Sequence, residues 1–297
     1  MKKFAIVSDS CCDLAKSLRE QYDIDYILMH FTIDGEEYPA DLDWEKLSIK
    51  EFYDSFRQNK KYKTAQVSEA QYEERFRYYL DQGYDVLSIS CSSGLSSSVK
   101  TSYIARDRLQ KEYPDSKIIC IDPLISGYGL GMICIIASRM RAEGKTIDEI
   151  ADWIETNKKR FNQEGAVESL TYLKRAGRVS AVSAFFGGIL SVKPIIVADE
   201  LGRNVAIEKV KGRKASLIRL AERIADEIEV DECNEVYVAH ADCPEAAEEV
   251  KGYLKEKIND ERAQYFVSDL GPIVGGSSGP GTIIVYCFGK DTRKAAE

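Results

Sequence analysis

The sequence predicts an α/β protein built as two domains. Three observations carry that prediction. Strand-like apolar runs alternate with helical runs through the first half, a pattern that implies parallel pairing with right-handed crossovers. A second series of strands and helices follows a helix that ends near residue 157. The chain of 297 residues is long enough for two buried cores. The expected division is 1–157 for an N-terminal parallel α/β domain and 158–297 for a C-terminal α/β domain with a mixed sheet.

In chain order, "KFAIVSD" reads as a strand, "CDLAKSLREQY" as a helix, and "DYILMHFTID" as one strand turning at Gly35. "SIKEFYDSFRQN" and "EAQYEERFRYYLDQG" have helical spacing, with Ser68 placed to cap the second. "DVLSIS" is a buried strand, "SSVKTSYIARDRLQKEY" its following helix, and "KIICID" the next strand. An apolar helix covers about 129–142, and "TIDEIADWIETNKKRF" closes the first half. Beyond it, "KPIIVADELGRNVAIEKV" reads as two strands turning near Gly202. A helix ("KASLIRLAERIADEIE"), the strand "EVYVAHAD", another helix and the strands "AQYFVSD" and "TIIVYCF" complete the pattern.

A net charge of -8 argues against nucleic-acid binding, which calls for a basic face. No run approaches the roughly 20 apolar residues of a membrane span, so no stable membrane insertion is expected. The apolar run in "MKKFAIVSDS" is too short for a signal peptide, and a cytoplasmic location is expected. The eight cysteines contain no C-x-x-C pair, and His30 and His240 are the only histidines. A zinc site is therefore not expected, and the cysteines read as small buried hydrophobes.

Familiar catalytic patterns fail on particular residues. Gly127, Gly129 and Gly131 follow a strand, but Cys134 stands where a dinucleotide fingerprint needs glycine. "EGKT" ends like a phosphate-binding loop, yet Arg139 replaces its first glycine. "GLSSS" lacks the second glycine of a nucleophile elbow. A serine-dependent esterase or acyl-transfer enzyme would have to pair Ser96 with His240.

The serine-rich stretch "SISCSSGLSSS", 88–98, joins a strand to a helix. One serine, Ser93 or Ser96, suffices as an N-cap worth roughly 1 kcal/mol. The remaining hydroxyls, with Gly94 and the helix's first-turn amides, have the chemistry of a small anion or carboxylate site. Thr64, four residues before the Ser68 cap, is free to point elsewhere. "GPIVGGSSGPG" reads as a loop in which Gly275, Gly276 and Gly279 present backbone amides beside Ser277 and Ser278. "SAFFGGILSVKPII" reads as core, or as an apolar channel lined by Phe185, Phe186, Ile189, Leu190 and Ile195. A polar cradle beside an apolar channel is what a fatty acid requires.

Six stretches in this order ("SDSCCDL", "TAQVS", "SSGLSSS", "LTYLKRAGRVS", "LSVKPII" and "GPG") resemble the DegV family over essentially the full chain. That bacterial family includes the acid-binding subunits of fatty acid kinases. The resemblance implies a two-domain DegV-like fold and a buried long-chain acid such as palmitate, stearate or oleate. It places the carboxylate on Thr64 and Ser96, with Ser97, Ser277 and Ser278 alongside. It also implies a non-catalytic, lipid-binding carrier, without cofactor, that presents the acid to a separate kinase subunit. A monomer is expected. Arg178 and Lys193 either pair with nearby carboxylates or help dock that kinase. Position 277 is serine where the family usually has histidine, which weakens the implied link to a kinase. A regulatory protein holding a structural lipid is the further alternative.

Overall fold

The computed structural model describes residues 2–179 and 191–293. The first sheet is parallel, ordered β2-β1-β6-β7, from β1 (Phe4–Asp9), β2 (Ile24–Ile27), β6 (Asp85–Ile89) and β7 (Ile118–Ile121). Every residue of β1 and β6 is buried, as a parallel sheet covered on both faces demands. Six helices belong to this part: α1 (Lys16–Gln21), α2 (Ile49–Arg57), α3 (Glu69–Leu80), α4 (Ser98–Glu112), α5 (Tyr128–Ala142) and α6 (Ile147–Asn157). Reciprocal capping boxes start α2 (Ser48 with Glu51), α3 (Ser68 with Gln71) and α6 (Thr146 with Glu149).

A small antiparallel sheet, β4-β3-β5, comprises β3 (His30–Ile33), β4 (Glu36–Pro39) and β5 (Tyr62–Ala65). The run expected as one strand over 25–34 is thus two strands in different sheets. Asp34 (φ 51) and Gly35 (φ 92) make the tight hairpin turn between β3 and β4.

The third sheet is mixed, ordered β10-β9-β8-β13-β11-β12. Its strands are β8 (Phe161–Ala166), β9 (Val192–Ala198), β10 (Asn204–Lys211), β11 (Glu235–His240), β12 (Gln264–Asp269) and β13 (Ile283–Phe288). The helices here are α7 (Thr171–Ala176), α8 (Arg213–Glu227), α9 (Pro244–Ile258) and α10 (Pro272–Ser278). The "GPIVGGSSGPG" stretch, expected as a loop, therefore holds a helix with Pro272 in its first turn, where a missing amide costs nothing. One cluster of buried side chains runs from Ile6 and Leu14 to Tyr237, Ile284 and Tyr286, joining the sheets.

On the face of the mixed sheet covered by α8, Glu164 takes two hydrogen bonds from Arg223, at 2.6 and 2.8 Å. Glu227 lies beside them with Oε2 unpartnered. Burial, then the Glu164 charge, pushes the Glu227 carboxyl up to about 9. In the unfolded chain it titrates in the ordinary carboxylate range, so folding favours its neutral form. Stability is therefore lost progressively as pH climbs from that range toward 9. Glu227→Gln is expected to raise Tm in mildly alkaline buffer and flatten that decline. Calorimetry across the pH range checks it, and an unchanged or lower alkaline Tm would contradict the assignment.

Candidate functional site

A cavity of about 550 Å³ lies where the loops of the parallel sheet meet the mixed sheet and α10. That is within the roughly 300–1,000 Å³ typical of small-molecule sites. Thr64, Ser96, Ser97, Ser277, Ser278, Gly94 and Arg178 all line it, brought together from β5, the loop before α4, the segment after α7, and α10. Met29, Leu95, Leu173, Ile196, Val274 and Ile284 supply apolar wall. Among the described lining residues Arg178 is the one formal charge and there is no carboxylate.

The serine-rich junction divides its work. Ser90 bonds Tyr72 Oη at 2.7 Å, Ser92 Oγ donates to the Gly202 carbonyl at 2.9 Å, and Ser98 Oγ accepts the Val67 amide at 3.2 Å. These are structural duties. Ser93, Ser96 and Ser97 are left on the cavity wall. The expected cap, Ser93 or Ser96, is not the one found. Ser97 occupies the N-cap of α4 without a side-chain capping bond, and the Ser98 amide donates to Ser96 Oγ at 3.2 Å. Ser96 and Ser98 hydroxyls bond each other at 3.0 Å.

Gly94 sits tight against the turn between β9 and β10; a Cβ there would come within 2.6 Å of the Leu201 carbonyl oxygen. Gly275 and Gly276 do not present free loop amides. The Gly275 amide is spent on Gly271 O at 2.8 Å, and the Gly279 amide on Gly275 O at 2.7 Å. Their bare backbone admits rings instead, with Tyr53 Oη 2.0 Å from a Cβ on Gly275 and Tyr62 Cζ 2.4 Å from one on Gly276. Ser278 Oγ donates to Val274 O at 2.9 Å within the helix, which leaves Ser277 the less engaged of the pair.

Ile195 does not line the cavity. Strand alternation turns it to the opposite face, against Leu217 and Leu220, and brings Ile196 to the cavity. Phe185, Phe186, Ile189 and Leu190 lie outside the described residues. Lys193 pairs with Glu168 and is absent from the cavity wall. Arg178 Nε donates to the Leu95 carbonyl at 3.0 Å, tying the segment after α7 to the serine loop. Neither histidine is among the lining residues; His240 Nδ1 stands 3.4 Å from Asp269, and no imidazole meets Ser96 there.

Four polar lining residues escaped the sequence reading: Gln66, Ser126, Gln163 and Asn204. Gln163 Nε2 donates to Asn204 Oδ1 at 3.0 Å, and Asn204 Nδ2 donates to the Arg178 carbonyl at 3.1 Å. For Gln163 the available signal was "FNQEGA", a short polar run that the fold buries completely.

The DegV family model, described as one of uncharacterised proteins, matches residues 3–289. A DegV domain-containing protein of Clostridium perfringens is 36% identical over 296 residues, covering 99% of this chain and 100% of its own. A DegV lipid binding protein from Thermotoga maritima superposes with TM-score 0.81 at 27% identity, covering 96% of this chain and 97% of its own. DegV from Bacillus subtilis, a fatty acid binding protein, gives TM-score 0.82 at 26% identity, covering 97% and 100% respectively.

Proposed function

The chain belongs to the DegV family, and from that premise we propose that it binds a long-chain fatty acid in the cavity. The observation that carries the reading is the meeting of neutral hydroxyls and apolar wall in one cavity. The carboxylate rests on Thr64, Ser96 and Ser97, with Ser277 alongside, and the acyl chain runs along Leu173, Ile196 and Ile284. The relatives described as lipid or fatty acid binding support it.

The energetics are sufficient. At about 0.8 kcal/mol per buried methylene, a sixteen-carbon tail gains on the order of 10 kcal/mol before ordering costs. The tail supplies affinity and the head group fixes orientation. Serine at 277 donates a hydrogen bond without the partial positive charge a histidine adds near neutral pH.

In this reading the protein is a cytoplasmic, monomeric carrier without catalysis of its own, and it hands the acid to a separate kinase. The head-group loops come from 1–157 and the rest of the wall from 158–297. Arg178, bound to the Leu95 carbonyl above the head-group loop, belongs to the docking surface for that kinase. Lys193 joins it only by giving up Glu168.

The test is mass spectrometry of an organic extract from protein purified without delipidation. A stoichiometric palmitate, stearate or oleate is the expected result. An empty extract, together with failure to take up added palmitate or oleate, would overturn the proposal.

A further inference from the structure

Cys11, Cys91 and Met29 all line the cavity, so its wall carries three sulfur atoms that holding a carboxylate and an alkyl chain does not require. Their placement follows from Asp9 at the end of β1. Its Oδ1 accepts the Cys11 amide at 2.9 Å and its Oδ2 accepts the Cys91 amide at 2.9 Å. One buried carboxylate thus draws the turn after β1 and the loop after β6 together, and both cysteines reach the same cavity wall. Cys11 Sγ lies 3.5 Å from Met29 Sδ. Both thiols are free and nearly inaccessible from outside, each about 2% exposed. Cys12, next in the chain, is fully buried and not part of the cavity wall.

We propose that Cys11 and Cys91 are a dithiol modification site, closed to a disulfide by a hydroperoxide that enters the cavity. The Cys91 thiolate attacks the outer peroxide oxygen. The O–O bond breaks, and the departing alkoxide or hydroxide takes up a proton. Cys11 sulfur then attacks the Cys91 sulfenic acid, the S–O bond breaks, and water leaves. Two thiols and one hydroperoxide give one disulfide, one alcohol (or water) and one water; the thiols lose two electrons and the peroxide gains them.

The roles follow from what each thiol lies beside. Its Cys11 neighbour favours the Cys91 thiolate, although burial raises that thiol overall, whereas the Cys91 neighbour and burial hold the Cys11 thiol well up. Thiolate is therefore scarce at neutral pH, and the reaction gains about tenfold in rate per pH unit through the mildly alkaline range. An acyl chain in the cavity covers both sulfurs. The cross-link itself stands on the cysteine geometry alone; its protection by ligand rests on the fatty acid reading above.

The experiment treats reduced, delipidated full-length protein with hydrogen peroxide, with and without stearate, and follows intact mass and peptide maps. Expected are loss of two hydrogens, a Cys11–Cys91 cross-linked peptide, and absence of both in Cys11→Ser and in Cys91→Ser. Cys12→Ser should still cross-link. Oxidation without that peptide in the unmodified sequence, or the same mass loss in both serine variants, would overturn the inference. A cross-link forming equally fast with stearate would leave the disulfide standing and count against the fatty acid reading.

Discussion

Thr64→Ala combined with Ser96→Ala is expected to weaken fatty acid binding by roughly a hundredfold, since each hydrogen bond to a charged group contributes about 1.5–3 kcal/mol. Both hydroxyls face the cavity, Thr64 from β5 and Ser96 from the turn before α4. Each single variant should lose about tenfold. Ser96→Ala carries a second cost because its hydroxyl also accepts the Ser98 amide at 3.2 Å. The measurement is titration calorimetry with palmitate and with a shorter acid. Removing head-group contacts should lower both affinities equally and preserve the difference between them, which belongs to the tail. Unchanged affinity in both single variants and the double would place the carboxylate elsewhere.

Gly202→Ala is expected to destabilise the fold by about 3 kcal/mol, adding left-handed backbone strain to overpacking. Gly202 has φ 70, and a Cβ there would stand 2.1 Å from Ser92 Oγ and 2.7 Å from Leu124 Cα. The same Ser92 hydroxyl donates to the Gly202 carbonyl and accepts the Gly94 amide at 3.1 Å. The variant thus pries the β9–β10 turn from the serine loop, and fatty acid affinity should fall with stability. Gly83→Ala is the reference: its φ is 80, but nothing lies within 4 Å of its Cβ position. Urea denaturation of the two separates strain from contact. Equal losses would mean that the turn gives way and the packing at Ser92 is soft.

Much of the α/β framework was legible because its elements are long and regular. The buried runs of β1 and β6, the capping sequences before α2, α3 and α6, and the 15-residue helix α4 announce themselves locally. What stayed hidden depends on partners distant in sequence. β4 and β5 are four residues each and pair only through β3. β8 buries Asn162, Gln163 and Glu164 in mid-sheet, where each finds a polar partner that no alternation rule announces. At the cavity, the density of hydroxyls pointed to a stretch that lines it, but not to which hydroxyl does what. Ser90, Ser92 and Ser98 are committed by Tyr72, Gly202 and Val67. Glycine at 275 and 276 looked like loop and instead makes room for Tyr53 and Tyr62. The choice between Ile195 and Ile196 turns on strand register, which one residue of slip reverses.

The cavity draws its wall from both sheet systems, and that has a consequence for the protein's lifetime in a cell. A molecule seated there touches the serine loop on one side and the mixed sheet on the other, so it acts as a cross-brace. Ligand bound only to the folded form adds RT ln(1 + [L]/Kd), about 2.7 kcal/mol at a hundredfold excess over Kd. Opening events that expose the chain to proteases become correspondingly rarer. On the fatty acid reading, filled molecules are expected to outlast empty ones, and the amount of this protein to follow its supply of ligand without any change in its synthesis.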